Sequence, residues 1–83
     1  MSFKIIWDKK AKSELDKLEI DLARRIILKV RSLAEDPYSK DIKRLSGRTE
    51  YRLRVGDYRV LFSIETDTIF ILNIGHRKNI YGG

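Results

Sequence analysis

Glu50-Tyr51-Arg52-Leu53-Arg54-Val55-Gly56-Asp57-Tyr58-Arg59-Val60-Leu61-Phe62-Ser63-Ile64 is the stretch that decides the fold. Tyr51, Leu53 and Val55 alternate with Arg52 and Arg54, the two-residue period of a strand with one buried face. Gly56-Asp57 follows as a two-residue hairpin signal, because glycine supplies a positive φ without steric cost. Tyr58, Val60, Phe62 and Ile64 then alternate with Arg59, Leu61 and Ser63. Antiparallel pairing about this turn sets Val55 opposite Tyr58 and Arg54 opposite Arg59, with Arg52 two positions further along the same face.

Upstream, Phe3, Ile5 and Trp7 alternate with Lys4, Ile6 and Asp8 and predict a short first strand. Asp8 is suited to cap a helix whose apolar face is Ala11, Leu15 and Leu18. Asp21 is expected to cap a second helix with a stripe of Leu22, Ile26, Val30 and Leu33, widened by Ile27 and Ala34 and ended by Asp36-Pro37. The short link predicts an antiparallel helical hairpin. Residues 38–49 mix turn formers with basic groups around Leu45, the expected buried anchor. Downstream, Glu65-Thr66-Asp67 turns the chain into a last strand, 68–74. Trp7 and Phe62 are expected in the core. Residues 1–83 therefore read as one α+β domain of order β-α-α-β-β-β, a helical hairpin packed on one face of a small antiparallel sheet.

Composition narrows the function classes. Eighty-three residues leave no room for a second core. The longest apolar runs, such as Ile69-Phe70-Ile71-Leu72, are too short to span a bilayer, so no membrane partner is expected. The opening Met1-Ser2-Phe3-Lys4 lacks the layout of a secretory signal, and a cytoplasmic location is expected. With no cysteine and a single histidine, His76, neither thiolate metal sites nor multi-histidine zinc chemistry fit. No metal or other cofactor is expected. Lys and Arg number 18 against 12 Asp and Glu, a net charge of +6. That surface attracts polyanions. Residues 1–37 interleave the signs, whereas 38–83 concentrate Arg44, Arg48, Arg52, Arg54, Arg59 and Arg77.

Arg54 opposite Arg59 is a like-charge pair that costs roughly 0.2–1 kcal/mol. Asp57, in the turn, is too near the hairpin end to neutralise all three arginines. Such a patch suits a phosphodiester or a carboxylate, because guanidinium offers planar bidentate donors. A solvated sheet face with ion pairs from elsewhere fits the same pattern. Two registers of the last strand remain open: a two-residue Thr66-Asp67 loop puts Arg77 on the Tyr58 face, and a three-residue loop puts it with Arg54 and Arg59. Gly75 precedes His76-Arg77-Lys78 and allows a ligand to approach the backbone. His76 itself fits a surface histidine at a strand end.

Residues 43–62, Lys-Arg-Leu-Ser-Gly-Arg-Thr-Glu-Tyr-Arg-Leu-Arg-Val-Gly-Asp-Tyr-Arg-Val-Leu-Phe, with Ile-Gly-His-Arg-Lys-Asn-Ile-Tyr at 74–81, resemble the RelE/ParE superfamily of toxin–antitoxin toxins. The likeness extends over nearly the whole chain. The RelE branch implies a ribosome-dependent endoribonuclease that cuts mRNA in the A site, metal-free, by attack of the 2′-hydroxyl on the adjacent phosphate. The resemblance places the family's catalytic groups on Arg52, Arg54, Arg59, Arg77 and Tyr81, and selects the register, or a bulged version of it, that gathers Arg77 with the hairpin arginines. Positions 52 and 54, lysine in some relatives, are arginine here, and arginine does not release a proton. Both are therefore expected to position phosphate and stabilise charge. Arg77 is expected to stabilise the phosphate and leaving group, and Tyr81 to stack on a base or help activate the 2′-hydroxyl. Lys40, Lys43, Arg44, Arg48 and Lys78 are expected to bind RNA.

The implied partners are the ribosome with its mRNA and a small acidic RelB-like antitoxin that covers the basic patch or displaces the C-terminal segment. ParE-like members of the superfamily instead inhibit DNA gyrase, and a non-catalytic nucleic-acid-binding module would use the same basic face.

Overall fold

Asp8 closes the first strand, β1 (Lys4–Trp7), and its carboxylate accepts a hydrogen bond from the Lys10 N–H, which opens α1 (Lys9–Asp16) as the sequence predicts. The computed structural model from which this follows describes residues 2–38, 41–45 and 50–80. Glu19, rather than Asp21, caps α2 (Ile20–Leu33), its carboxylate accepting from the N–H groups of Asp21 and Leu22. Asp21 falls instead in the first turn, where its charge still complements the helix dipole. Ile26, Val30 and Leu33 form the buried stripe of α2.

Four further strands follow: β2 (Ile42–Arg44), β3 (Glu50–Val55), β4 (Tyr58–Glu65) and β5 (Thr68–His76), with a last turn of helix, α3 (Arg77–Ile80). The sheet order is β1-β5-β4-β3-β2. The α+β architecture is the expected one, with the helical hairpin on one face. The sheet is mixed rather than wholly antiparallel, because β1 joins β5 in parallel. Alternation in a four-residue strand says which face is buried but not which way the strand runs. β2 and α3 add to the expected order. At three and four residues they are too short to show a period. Leu45, the expected anchor, is half-buried, and its N–H donates to the Glu50 carbonyl.

Phe62, Leu53, Val60, Ile69 and Ile71 are fully buried on the helix side of the sheet against Ile26, Val30 and Leu33. Burial of each such side chain contributes about 1.5–3 kcal/mol, which is what fixes the register of the central strands. Trp7 is half-buried and packs against this core.

The register of β5 carries the functional consequence. Glu65 pairs with Thr68, so the loop is the two-residue Thr66-Asp67, with Thr66 at a φ of 58°. Further along, Phe62 pairs with Ile71 but Leu61 pairs with Asn73, and Leu72 is the extra residue of a β-bulge. The bulge moves Tyr58 opposite His76 and Arg59 opposite Gly75. Glu14 of α1 reaches the same place, where its Oε1 accepts from the Ile74 N–H at 2.8 Å.

Candidate functional site

Arg54 stands opposite Arg59 and Val55 opposite Tyr58, the pairing read from the sequence. Leu53, Val55 and Val60 point into the core, so Arg52, Arg54 and Arg59 share the face turned away from the helices. Lys43 pairs with Arg52 and joins them on that face. The guanidiniums are not equivalent. Arg59 is 9% exposed, and its Nη1 donates to the Gly56 carbonyl at 2.8 Å and the Tyr58 carbonyl at 2.9 Å. Arg54 is exposed and pairs with Asp41 at 3.3 Å.

Asp41 was not legible as a site residue. Its backbone carbonyl accepts from the Arg54 N–H, and its carboxylate takes Lys29 Nζ at 3.1 Å on the other side. The hydrogen bond from Lys29, then the Lys29 charge, and then Arg54 hold its carboxyl below the ordinary value of 3.8. Arg54 therefore has a carboxylate partner from elsewhere in the chain, an ion pair of the kind the solvated-face reading expects.

The bulge brings Arg77 to this group even though the loop is the two-residue one that alone would have sent it to the Tyr58 face. The Arg77 N–H donates to the Asp57 carbonyl at 2.8 Å, and its Nε lies 3.9 Å from Asp57 Oδ1. Asp57 thus serves Arg77, with both side chains largely exposed, a loose pair worth about 0–1 kcal/mol. What approaches Gly75 is the chain itself: a Cβ there would lie 3.2 Å from Ile80 Cδ1, so α3 folds back over the arginine side of the sheet.

Of the residues expected to bind RNA, Lys43 lies on the arginine face, whereas Arg44 pairs with Tyr51 and so belongs to the opposite face. Lys78 is exposed on α3, and its N–H donates to His76 Nδ1 at 3.1 Å. His76 is half-buried, edge-on to the Tyr58 ring at 5.5 Å, away from the arginines. Lys40, Arg48 and Tyr81 lie outside the described residues. What the described site offers chemically is charge and planar donors aimed at one end of a rigid hairpin, since arginine neither gives nor takes a proton near neutral pH. Among the described residues no helix is long and apolar enough to cross a membrane.

Comparison with known proteins gives this geometry a family. A family model described as the ParE toxin of type II toxin–antitoxin systems, parDE, matches residues 5–81. Toxin RelE3 of Methanocaldococcus jannaschii is 45% identical over 42 residues, 49% of this chain and 48% of RelE3, so the match spans about half the length of that relative. A chain of the RelB–RelE antitoxin–toxin complex from Methanococcus jannaschii superposes with a TM-score of 0.78 at 30% identity, covering 92% of this chain and 94% of that one. A chain of the archaeal RelE–RelB complex from Pyrococcus horikoshii OT3 superposes with a TM-score of 0.83 at 28% identity, covering 95% and 99%.

Proposed function

Because this chain belongs to the ParE toxin family of type II toxin–antitoxin systems, we propose that it is a RelE-like toxin that cleaves mRNA in the ribosomal A site. The observation that carries this reading is the convergence of Arg54, Arg59 and Arg77 on one hairpin end, where a bulge is needed to bring the third. In the proposed reaction the 2′-oxygen bonds to the adjacent phosphorus and the bond to the 5′-oxygen breaks. A 2′,3′-cyclic phosphate results, and the departing 5′-oxygen takes a proton from solvent to become the 5′-hydroxyl. Negative charge builds on the phosphorane, and donors already fixed in place stabilise it with little reorganisation. Arg77, exposed beside Asp57 of the turn, is assigned the phosphate and leaving-group oxygens. Arg52 and Arg54 position the phosphate, and Arg59 holds the turn while adding charge. The proton leaves the 2′-hydroxyl for a group other than these arginines, and Tyr81 is our candidate to assist it or to stack on a base. No metal ion is assigned a role. Lys43 and Lys78, with Lys40 and Arg48, extend the basic surface for RNA, and action on ribosomes implies a cytoplasmic location.

The names of the structural relatives support a RelB-like partner for this chain, and its basic face calls for an acidic one. The ParE description of the family favours a second reading, inhibition of DNA gyrase. One experiment separates them. Purified protein is added to ribosomes programmed with a defined mRNA, and 3′ ends are mapped with and without ribosomes and chelator. New A-site ends that need ribosomes, survive chelation and carry a cyclic phosphate are expected. An intact message, together with inhibited supercoiling by gyrase, would overturn the nuclease reading.

A further inference from the structure

Arg25, on α2, lies outside every group considered so far. Its guanidinium rests over the β3–β4 turn: a Cβ on Gly56 would be 3.3 Å from Arg25 Nη2 and 3.9 Å from its Cζ. The Gly56 carbonyl accepts from Arg59 Nη1. Two guanidiniums therefore meet one turn residue from two directions. Among the described residues the Arg25 side chain makes no hydrogen bond or ion pair, unlike those of Arg54, Arg59 and Arg77.

Beside it, α2 and β3 enclose a groove of about 370 Å³ lined by Arg25, Leu28, Lys29, Ser32, Val55 and Gly56. The groove is connected by charge to the arginine face: Lys29 leans out of it to Asp41, whose other oxygen takes Arg54. Around the turn, Lys29 and Arg54 take Asp41 and Arg77 takes Asp57, while the guanidiniums of Arg25 and Arg59 lie against Gly56, so five cations gather about two carboxylates.

We propose that Arg25 is a further phosphate-binding residue, and that bound RNA continues over the tip of the β3–β4 hairpin into the groove between α2 and β3. The inference rests on the RNA reading above and extends its footprint to a second face. An acidic peptide is the rival occupant. A peptide helix grips through an apolar stripe several residues long, and here Leu28, 64% exposed, is the main apolar contact on offer. A phosphate needs only an unpaired planar donor, which Arg25 supplies.

The test measures binding of a 2′-O-methyl single-stranded RNA 12-mer, which resists 2′-hydroxyl attack, to the full chain between 50 and 300 mM KCl. Wild type, Arg25→Met and Arg25→Lys are compared. Loss of one phosphate contact reduces the slope of log K against log salt by about 0.7 for single strands. Arg25→Met, which removes the guanidinium and keeps an unbranched stem, is expected to show that reduction and weaken binding about tenfold at 100 mM, the low end for one hydrogen bond to a charged group. Arg25→Lys is expected to restore the slope. Thermal unfolding of each variant reports its fold, and Arg25→Gln replaces the Met variant if that one does not fold. Unchanged slope and affinity in the folded, uncharged variant would overturn the inference. So would an Arg25 dependence seen only with an acidic peptide. The two readings fail separately: RNA binding that needs Arg25 in a protein that leaves mRNA intact defeats the nuclease reading alone. Cleavage by wild type with RNA binding indifferent to Arg25 defeats this one alone.

Discussion

At the scale of single residues, the charge nearest the turn is also the group that holds it closed. Arg59 is 9% exposed and bridges the carbonyls of Gly56 and Tyr58, whereas Arg54, two positions before the turn, is exposed and tethered at the surface. Removing a buried charged donor costs about 1.5–3 kcal/mol, while a surface pair is worth about 0–1 kcal/mol. Urea unfolding should therefore show Arg59→Ala clearly destabilised and Arg54→Ala close to wild type. Equal losses would mean that Arg59 does not brace the turn. Asp41 gives a pH dependence. Its folded pKa is depressed by Lys29 first and Arg54 second, so its stabilising contribution is present above the ordinary carboxylate value of 3.8 and is lost as pH falls through the lower folded value. The Tm difference between wild type and Asp41→Asn should hold at neutral pH and shrink below that value. A difference that persists in acid would assign the effect to something other than the ion pair.

At the scale of elements, the β5 bulge decides whether Arg77 reaches the hairpin arginines, and Glu14 holds its backbone by accepting from the Ile74 N–H. Glu14→Ala leaves that half-buried amide without its acceptor, at a cost of about 1–3 kcal/mol. Glu14→Gln keeps an oxygen acceptor there. Hydrogen exchange at the Ile74 amide should rise in the alanine variant and much less in the glutamine one. Equal protection in all three proteins would show that the bulge stands without Glu14. The bulge marks where the sequence stops being legible. Residues 51–64 alternate cleanly, so the hairpin, its turn and the Arg54–Arg59 pairing could be read directly. Residues 69–72 are all apolar, and no alternation there reveals that Ile71 and Ile74, three apart, both enter the core. The resemblance to a family, rather than the local pattern, pointed to a bulged register. Contacts between elements distant in sequence stayed hidden for the same reason: nothing local ties Glu14 to residue 74, Asp41 to Lys29, or Arg25 to Gly56. Lys43 and Arg44 looked alike as neighbouring cations, and only the pairing of β2 shows that they face opposite sides.

At the scale of the whole molecule, the helical hairpin covers one face of the sheet and leaves the other to a cationic cluster on a stiff scaffold. A chain of net charge +6 gathers polyanions without further design, so binding alone is weak support for catalysis. The distinguishing property is the difference between holding an anion and stabilising one that forms only in the transition state. The most direct measurement is single-turnover cleavage of mRNA on programmed ribosomes by wild type and Arg77→Ala, alongside the affinity of each for the same ribosomes. If the cluster stabilises the phosphorane, Arg77→Ala should slow cleavage about 10²–10³-fold, the usual loss for one transition-state donor, while affinity changes by only a few-fold. A variant whose cleavage and affinity fall in equal proportion, or one that cleaves at the wild-type rate, would contradict it.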